Sequence, residues 1–107
     1  MGQKEVKVTW TASARKNVRQ IFDFLAQKSE AAATRETEKI IRKTDILKAG
    51  HLHAGQKEEL LQNKKSEYRY LLQDHFKIIY RVLPEQAIIS AVFDTRQNPQ
   101  SLSEKVE

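Results

Sequence analysis

The sequence predicts an α+β fold in which a helix hairpin lies on one face of a small, mostly antiparallel sheet. Three observations predict it. Residues 5–10 alternate between apolar and polar; two segments with apolar residues three and four apart follow; three β-branched or aromatic stretches with short breaks close the pattern. The order is β-α-α-β-β-β, and its helices cover only one sheet face.

In the first strand Val6, Val8 and Trp10 are separated by polar residues. Thr11 or Ser13 can cap the helix that follows, because a hydroxyl there accepts from an orphan backbone N–H. Val18, Ile21, Phe22 and Leu25 form its apolar stripe, leaving Arg15, Lys16, Arg19 and Asp23 outside. Ser29 caps a second helix read over residues 30–48, with the stripe Ala33, Thr37, Ile40, Ile41, Thr44 and Leu47, and Gly50 stops it. The link is so short that the helices should pack as an antiparallel hairpin. Residues 51–66 read as a loop with one turn near Leu60 and Leu61. Strands are expected at Glu67 to Leu72, Phe76 to Leu83 and Ala87 to Phe93, parted by Gln73-Asp74-His75 and Pro84-Glu85-Gln86. Such short breaks require antiparallel neighbours, hence a meander.

At 107 residues the chain is expected to form one domain over residues 1–99, with a flexible tail at 100–107. No run of roughly 18 apolar residues could span a bilayer, and no apolar leader opens the chain, so no membrane partner and a cytoplasmic location are expected. The absence of cysteine excludes disulfides, thiolate zinc sites and thiol catalysis. The net charge of +5 is uneven: residues 1–56 carry 11 Lys/Arg against 6 Asp/Glu, whereas residues 57–107 carry 8 of each. A basic helical half can meet nucleic acid, an acidic protein segment or only water.

No phosphate loop, dinucleotide fingerprint or serine elbow is present. His51 and His53 lack nearby carboxylate or thiolate company, so neither a metal nor any other cofactor is expected. The strands offer more. Tyr68, Arg69, Tyr70, Lys77, Tyr80, Arg81 and Arg96 interleave aromatics with cations, a composition that can stack bases and hold phosphates. Metal-free RNA cleavage also needs a base, and arginine cannot serve at neutral pH; Lys77 or His75 could. The plainer reading makes Tyr70 and Tyr80 core residues, with Lys77 and Arg81 solvated. Register decides which side chains meet. A two-residue turn at Asp74-His75 groups Tyr68 and Tyr70 with Lys77, Ile79 and Arg81; a three-residue turn groups Arg69 and Leu71 with them instead. Phe76, Ile78, Tyr80 and Val82 make the better core face either way.

Several segments resemble the RelE/ParE superfamily of toxins from type II toxin–antitoxin systems, in particular its ParE-like members. These are Val-Thr-Trp-Thr-Ala-Ser-Ala at the first strand, Leu47 followed by Gly55, Tyr68 to Leu71, Phe76 to Val82, and Val92 to Pro99. The resemblance covers about residues 5–99. It implies the same fold, a cognate antitoxin as partner, and one of two targets. RelE-like members cut mRNA on the ribosome without metal; ParE-like members poison DNA gyrase without chemistry of their own. If this chain were the ribonuclease, the resemblance would assign catalysis to Arg69, His75, Lys77 and Arg96. For target binding it points to Arg69, Lys77, Tyr80, Arg81 and Arg96. Leu71 stands at the place of a second lysine and no tyrosine follows Phe93, so the gyrase poison leads. The mRNA interferase is the alternative, and a non-toxic member that keeps only antitoxin binding is a third reading.

Overall fold

The structure is a computed structural model and describes residues 6–61 and 66–96. Its elements are β1 (Lys7–Trp10), α1 (Ala12–Ala26), α2 (Glu30–Lys43), the short α3 (Asp45–Lys48), β2 (Gln56–Lys57), a 3-10 turn (Glu59–Leu61), β3 (Glu67–Gln73), β4 (Phe76–Leu83) and β5 (Gln86–Asp94). The expected α+β architecture is present. The polar run at 62–65 and the tail at 100–107 lie outside the described residues.

Thr11 caps α1 through a bond that Ala14 N–H donates to its hydroxyl at 3.0 Å, and Ser29 caps α2 likewise from Ala32 at 3.1 Å. The second helix is not continuous to residue 48. The Thr44 hydroxyl donates back to the Ile41 carbonyl at 2.7 Å and its amide donates to the same oxygen at 3.1 Å, so the ladder tightens to three-residue spacing and restarts as α3. Ile40 and Leu47 stay fully buried across this break. Burying such a side chain stabilises by about 1.5–3 kcal/mol.

The sheet order is β1-β5-β4-β3-β2. Strands β3, β4 and β5 form the expected antiparallel meander, while β1 pairs parallel to β5 at the edge. Gln73 pairs with Phe76, so the first turn has two residues. Asp74 sits there at φ 55°, a left-handed position that aspartate tolerates by local hydrogen bonding. The second turn is Pro84-Glu85, with Glu85 at φ 60° after a proline, the type II pattern.

This register places Arg69, Leu71, Phe76, Ile78, Tyr80 and Val82 on the helix side, and Tyr68, Tyr70, Lys77, Ile79 and Arg81 on the other. A bulge inserts Ser90 between the pairs Ile79–Ala91 and Tyr80–Ile89. Its effect is to turn Ala87 and Ile89 toward the helices but Ala91 and Phe93 away from them. Two apolar clusters result. The larger lies beneath the helices; the smaller joins Tyr68, Ile79, Ala91 and Phe93 to Leu61.

The far face carries no helix, yet it is not open as the sequence suggested. β2 pairs with β3, and the 3-10 turn folds residues 58–61 onto that face. What fixes this strap is Tyr80, a fully buried tyrosine. Its hydroxyl donates to the Leu52 carbonyl at 2.7 Å and accepts from Gly55 N–H at 3.0 Å. Gly55 itself leaves no room for a side chain: a Cβ there would overlap the Tyr70 carbonyl oxygen and approach the Tyr80 hydroxyl to 2.8 Å. Gly55→Ala should therefore destabilise the protein by about 1–3 kcal/mol through overpacking. Tyr80→Phe should cost about the same by leaving a buried N–H and C=O unpaired. Urea unfolding with unchanged midpoints in both variants would show that the loop is not anchored here.

Candidate functional site

The residues singled out from sequence fall in three places rather than one. Arg69 lies on the helix side, where its guanidinium donates to the Gly55 carbonyl at 2.7 Å and to Glu67. Tyr80 lies in the main core and presents no surface. In this arrangement Arg69 reinforces the strap loop from the opposite side to Lys77, and Tyr80 anchors it. Leu71 is likewise a helix-side core residue, so it is not the missing cation beside Lys77. The positions that flank Lys77 on β3 are Tyr70 and Leu72, as the two-residue turn requires.

Lys77 and Arg81 share the far face, and Lys77 is fully engaged there. Its ammonium donates to Glu58 Oε1 at 2.7 Å and sits 4.1 Å from the centroid of the Tyr70 ring. Glu58 is a buried carboxylate with its side chain 3% exposed, and its other oxygen accepts from Leu60 N–H. The strap thus carries the counter-ion for Lys77. Sequence gave little sign of it, because Glu58-Glu59 reads as a solvated acidic pair; only Leu60 and Leu61 hint that the segment packs. Arg81 is half-buried, and its Nε has no hydrogen-bond partner among the described residues.

The third place is the end of the β4–β5 hairpin. Asp94 accepts two bonds from Arg96 Nε, at 2.9 and 3.0 Å, another from Arg96 Nη2, and one from the Arg96 backbone amide at 2.8 Å; His75 Nε2 stands 3.7 Å away. The Arg96 guanidinium holds the Asp94 carboxyl down from 3.8 to about 2. These groups border a groove of about 340 Å³ that also involves Asn17, Ile21 and Phe24. Asn17 Oδ1 accepts from Val92 N–H and fixes α1 to β5 there. His75 and Arg96 come together, but Lys77 is turned to the strap and Arg69 to the other face. The four groups required for the ribonuclease do not converge.

His51 and His53 are both exposed, and His53 Nε2 lies 3.6 Å from Glu67. Among the described residues no three His, Asp or Glu side chains are placed to hold a metal ion, and no helix is long and apolar enough to cross a membrane.

Two outcomes test these geometries. Lys77→Met should destabilise the protein by about 3 kcal/mol, because Glu58 is left as an uncompensated buried charge. The double variant Lys77→Met/Glu58→Gln should recover most of that loss, since the amide oxygen still accepts from Leu60 N–H; additive losses in a double-mutant cycle would deny the clasp. For Asp94 the folded pKa is depressed, so its contribution is complete above its ordinary value of 3.8 and is lost as the pH falls toward about 2. Urea unfolding between pH 7 and pH 2 should show this loss in the native protein and a shallower one in Asp94→Asn. Equal slopes would remove the Arg96 pairing.

Comparison with known proteins agrees with this fold. No curated protein sequence matches. The chain is similar in structure to a chain of the chromosomal ParDE TA system from P. aeruginosa, with a TM-score of 0.68 and 15% identity, covering 84% of this chain and 96% of that one. At that identity the likeness speaks for the fold. Residues 8–99 match the family described as the ParE toxin of type II toxin-antitoxin system, parDE, which spans every described strand and helix from Val8 onward. The chain belongs to the ParE toxin family of type II toxin–antitoxin systems.

Proposed function

We propose that this chain arrests bacterial growth in the cytoplasm by binding and poisoning DNA gyrase, without catalysis of its own, and that a cognate antitoxin neutralises it. The observation that carries the reading is the clasp on the far face. A metal-free ribonuclease needs several free cations around the scissile phosphate together with a general acid and base. Here Lys77 is tied to Glu58 beneath Tyr70, Arg69 faces the other way, and Arg96 is tied to Asp94. No tyrosine follows Tyr80 in the sequence to replace a missing acid. Family membership supports the antitoxin as partner.

Although paired with Asp94, Arg96 is the cation placed to meet a target, its side chain 70% exposed. It is exposed, follows the last strand and is held in one orientation by Asp94. Loop residues on a rigid sheet reach partners best.

Purified protein should inhibit gyrase supercoiling or trap cleaved DNA while leaving mRNA on programmed ribosomes intact. Arg96→Ala should lose more growth arrest than Lys77→Ala or Arg81→Ala, judged among variants that express in folded form. Ribosome-dependent cleavage that disappears in His75→Ala would make the interferase reading correct. A folded, well-expressed chain that leaves growth normal would point to the non-toxic member.

A further inference from the structure

The strap covers only part of the far face. Leu61 packs with Tyr68, Ile79, Ala91 and Phe93. From Tyr68 a cross-strand row runs out from under it: Tyr68 pairs with Arg81, Arg81 with Ile88, and Ile88 with Thr9. Ile88 alternates with Ala87 and Ile89, and Thr9 with Val8 and Trp10, all of which pack in the core beneath the helices, so Ile88 and Thr9 face the other way. Lys7 and Gln86, paired with one another, stand beside them on the same side. Lys7 and Thr9 are exposed, Gln86, Ile88 and Arg81 are half-buried, and Ile88 joins neither apolar cluster.

The charge on this side is of one sign. The far-side positions of β1, β3, β4 and β5 hold Lys7, Lys77 and Arg81 but no acid. Glu58 of the strap neutralises Lys77, which leaves Lys7 and Arg81 without a carboxylate partner among the described residues. Glu67 lies on the helix side, paired with Arg69, and Glu85 adjoins the row only from the turn. Arg81 Nε is enclosed and unpartnered, so the Nη groups are the part of the guanidinium left to reach outward. Around the two cations stand a hydroxyl, on Thr9, and an amide, on Gln86, neither bonded to a described residue.

We propose that this uncovered row contacts the phosphate backbone of the DNA duplex held by gyrase: Arg81 and Lys7 each meet a phosphate, and Thr9 and Gln86 donate beside them. This rests on the gyrase reading above and adds that the poison grips the DNA as well as the enzyme. Cations accompanied by hydroxyl and amide donors are the groups that fix a protein on a nucleic-acid backbone. Lys7 and Arg81 stand two strands and two residues apart, about 12 Å between Cα atoms, a separation suited to an extended polyanion rather than to one small anion. An acidic protein segment fits less well, because apolar anchors in this area are confined to the half-buried Ile88 and Leu83, and protein interfaces centre on such anchors. Contact with the backbone alone adds affinity without sequence preference and makes it sensitive to salt.

The test titrates the full chain onto purified gyrase, with and without a bound linear DNA duplex, over a series of salt concentrations. DNA should tighten binding, and the slope of log affinity against log salt should be steeper by about 2 with DNA present, one for each phosphate contact. Lys7→Gln and Arg81→Gln should each remove about 1 from that added slope, while binding to DNA-free gyrase stays as in the native chain. If Arg81→Gln fails to fold, Lys7→Gln, at an exposed edge position, decides alone. Native binding that is tight but equal in affinity and salt slope with and without DNA would overturn the DNA contact and leave the gyrase reading standing. Variants that weaken binding to DNA-free gyrase as much as to the DNA complex would assign the row to the gyrase protein and overturn the proposal. Absence of binding to gyrase in either form would remove the gyrase reading itself, and the DNA contact with it. Binding to mRNA-programmed ribosomes that both variants abolish would assign the row to RNA and likewise overturn it.

Discussion

The buried hydroxyl of Tyr80 is the interaction on which the rest of the far face depends. A tyrosine in the middle of β4, wholly enclosed, must find partners for its O–H or lose them at a cost of about 1–3 kcal/mol. It finds both in one loop, donating to Leu52 and accepting from Gly55. Besides this pair of bonds the loop has Leu52 packed against the main core and the exposed His51 and His53. With Gly55 drawn against Tyr80, the next residues fall into register beside β3, and the chain can turn over the sheet edge. Arg69 adds a charged donor to the Gly55 carbonyl from the same side. Gly55 is needed for proximity rather than for an unusual backbone angle, since it is the space of a Cβ that is already taken.

Everything chemical on the far face follows from that turn. Once β2 is paired, Glu58 arrives over Lys77 and Leu61 arrives over Tyr68, Ile79 and Phe93. A lysine that would stand free on an open sheet is instead clasped between a carboxylate and an aromatic ring. Such a buried pair is weak as a source of net stability, but removing one partner is costly, so the strap and the sheet are committed to one another.

Much of the architecture was legible because periodicity and turn chemistry agree along this chain. The alternation in residues 67–72 and 76–83 and the cap at Ser29 reappear almost residue for residue, and of Thr11 and Ser13 it is Thr11 that caps the first helix. The parallel pairing of β1 with β5 was not legible, since nothing in four alternating residues names a partner strand. The break at Thr44 was hidden because its burial keeps the helical spacing while its hydroxyl bends the backbone. Site residues fared worse for a definite reason: register has a period of two, so a single ambiguous turn at Asp74-His75 left open which of Arg69 and Tyr70 would sit beside Lys77. Glu58 was invisible because a buried carboxylate in a polar stretch looks like any solvated acid until its lysine is found. The bulge at Ser90 had no residue signature either, and it is what turns Ala91 and Phe93 to the face opposite Ala87 and Ile89.

The claim beneath all of this is that the strap withholds Lys77 from the surface. Amine acylation resolved by residue measures it most directly, with the exposed Lys16 and Lys48 as internal references. The account predicts that in the native protein Lys77 is acylated at least tenfold more slowly than those two, and that Tyr80→Phe, if folded, narrows the gap by loosening the loop. Acylation of Lys77 as fast as Lys16 and Lys48 in the native protein would contradict the account and return a free cation to the far face.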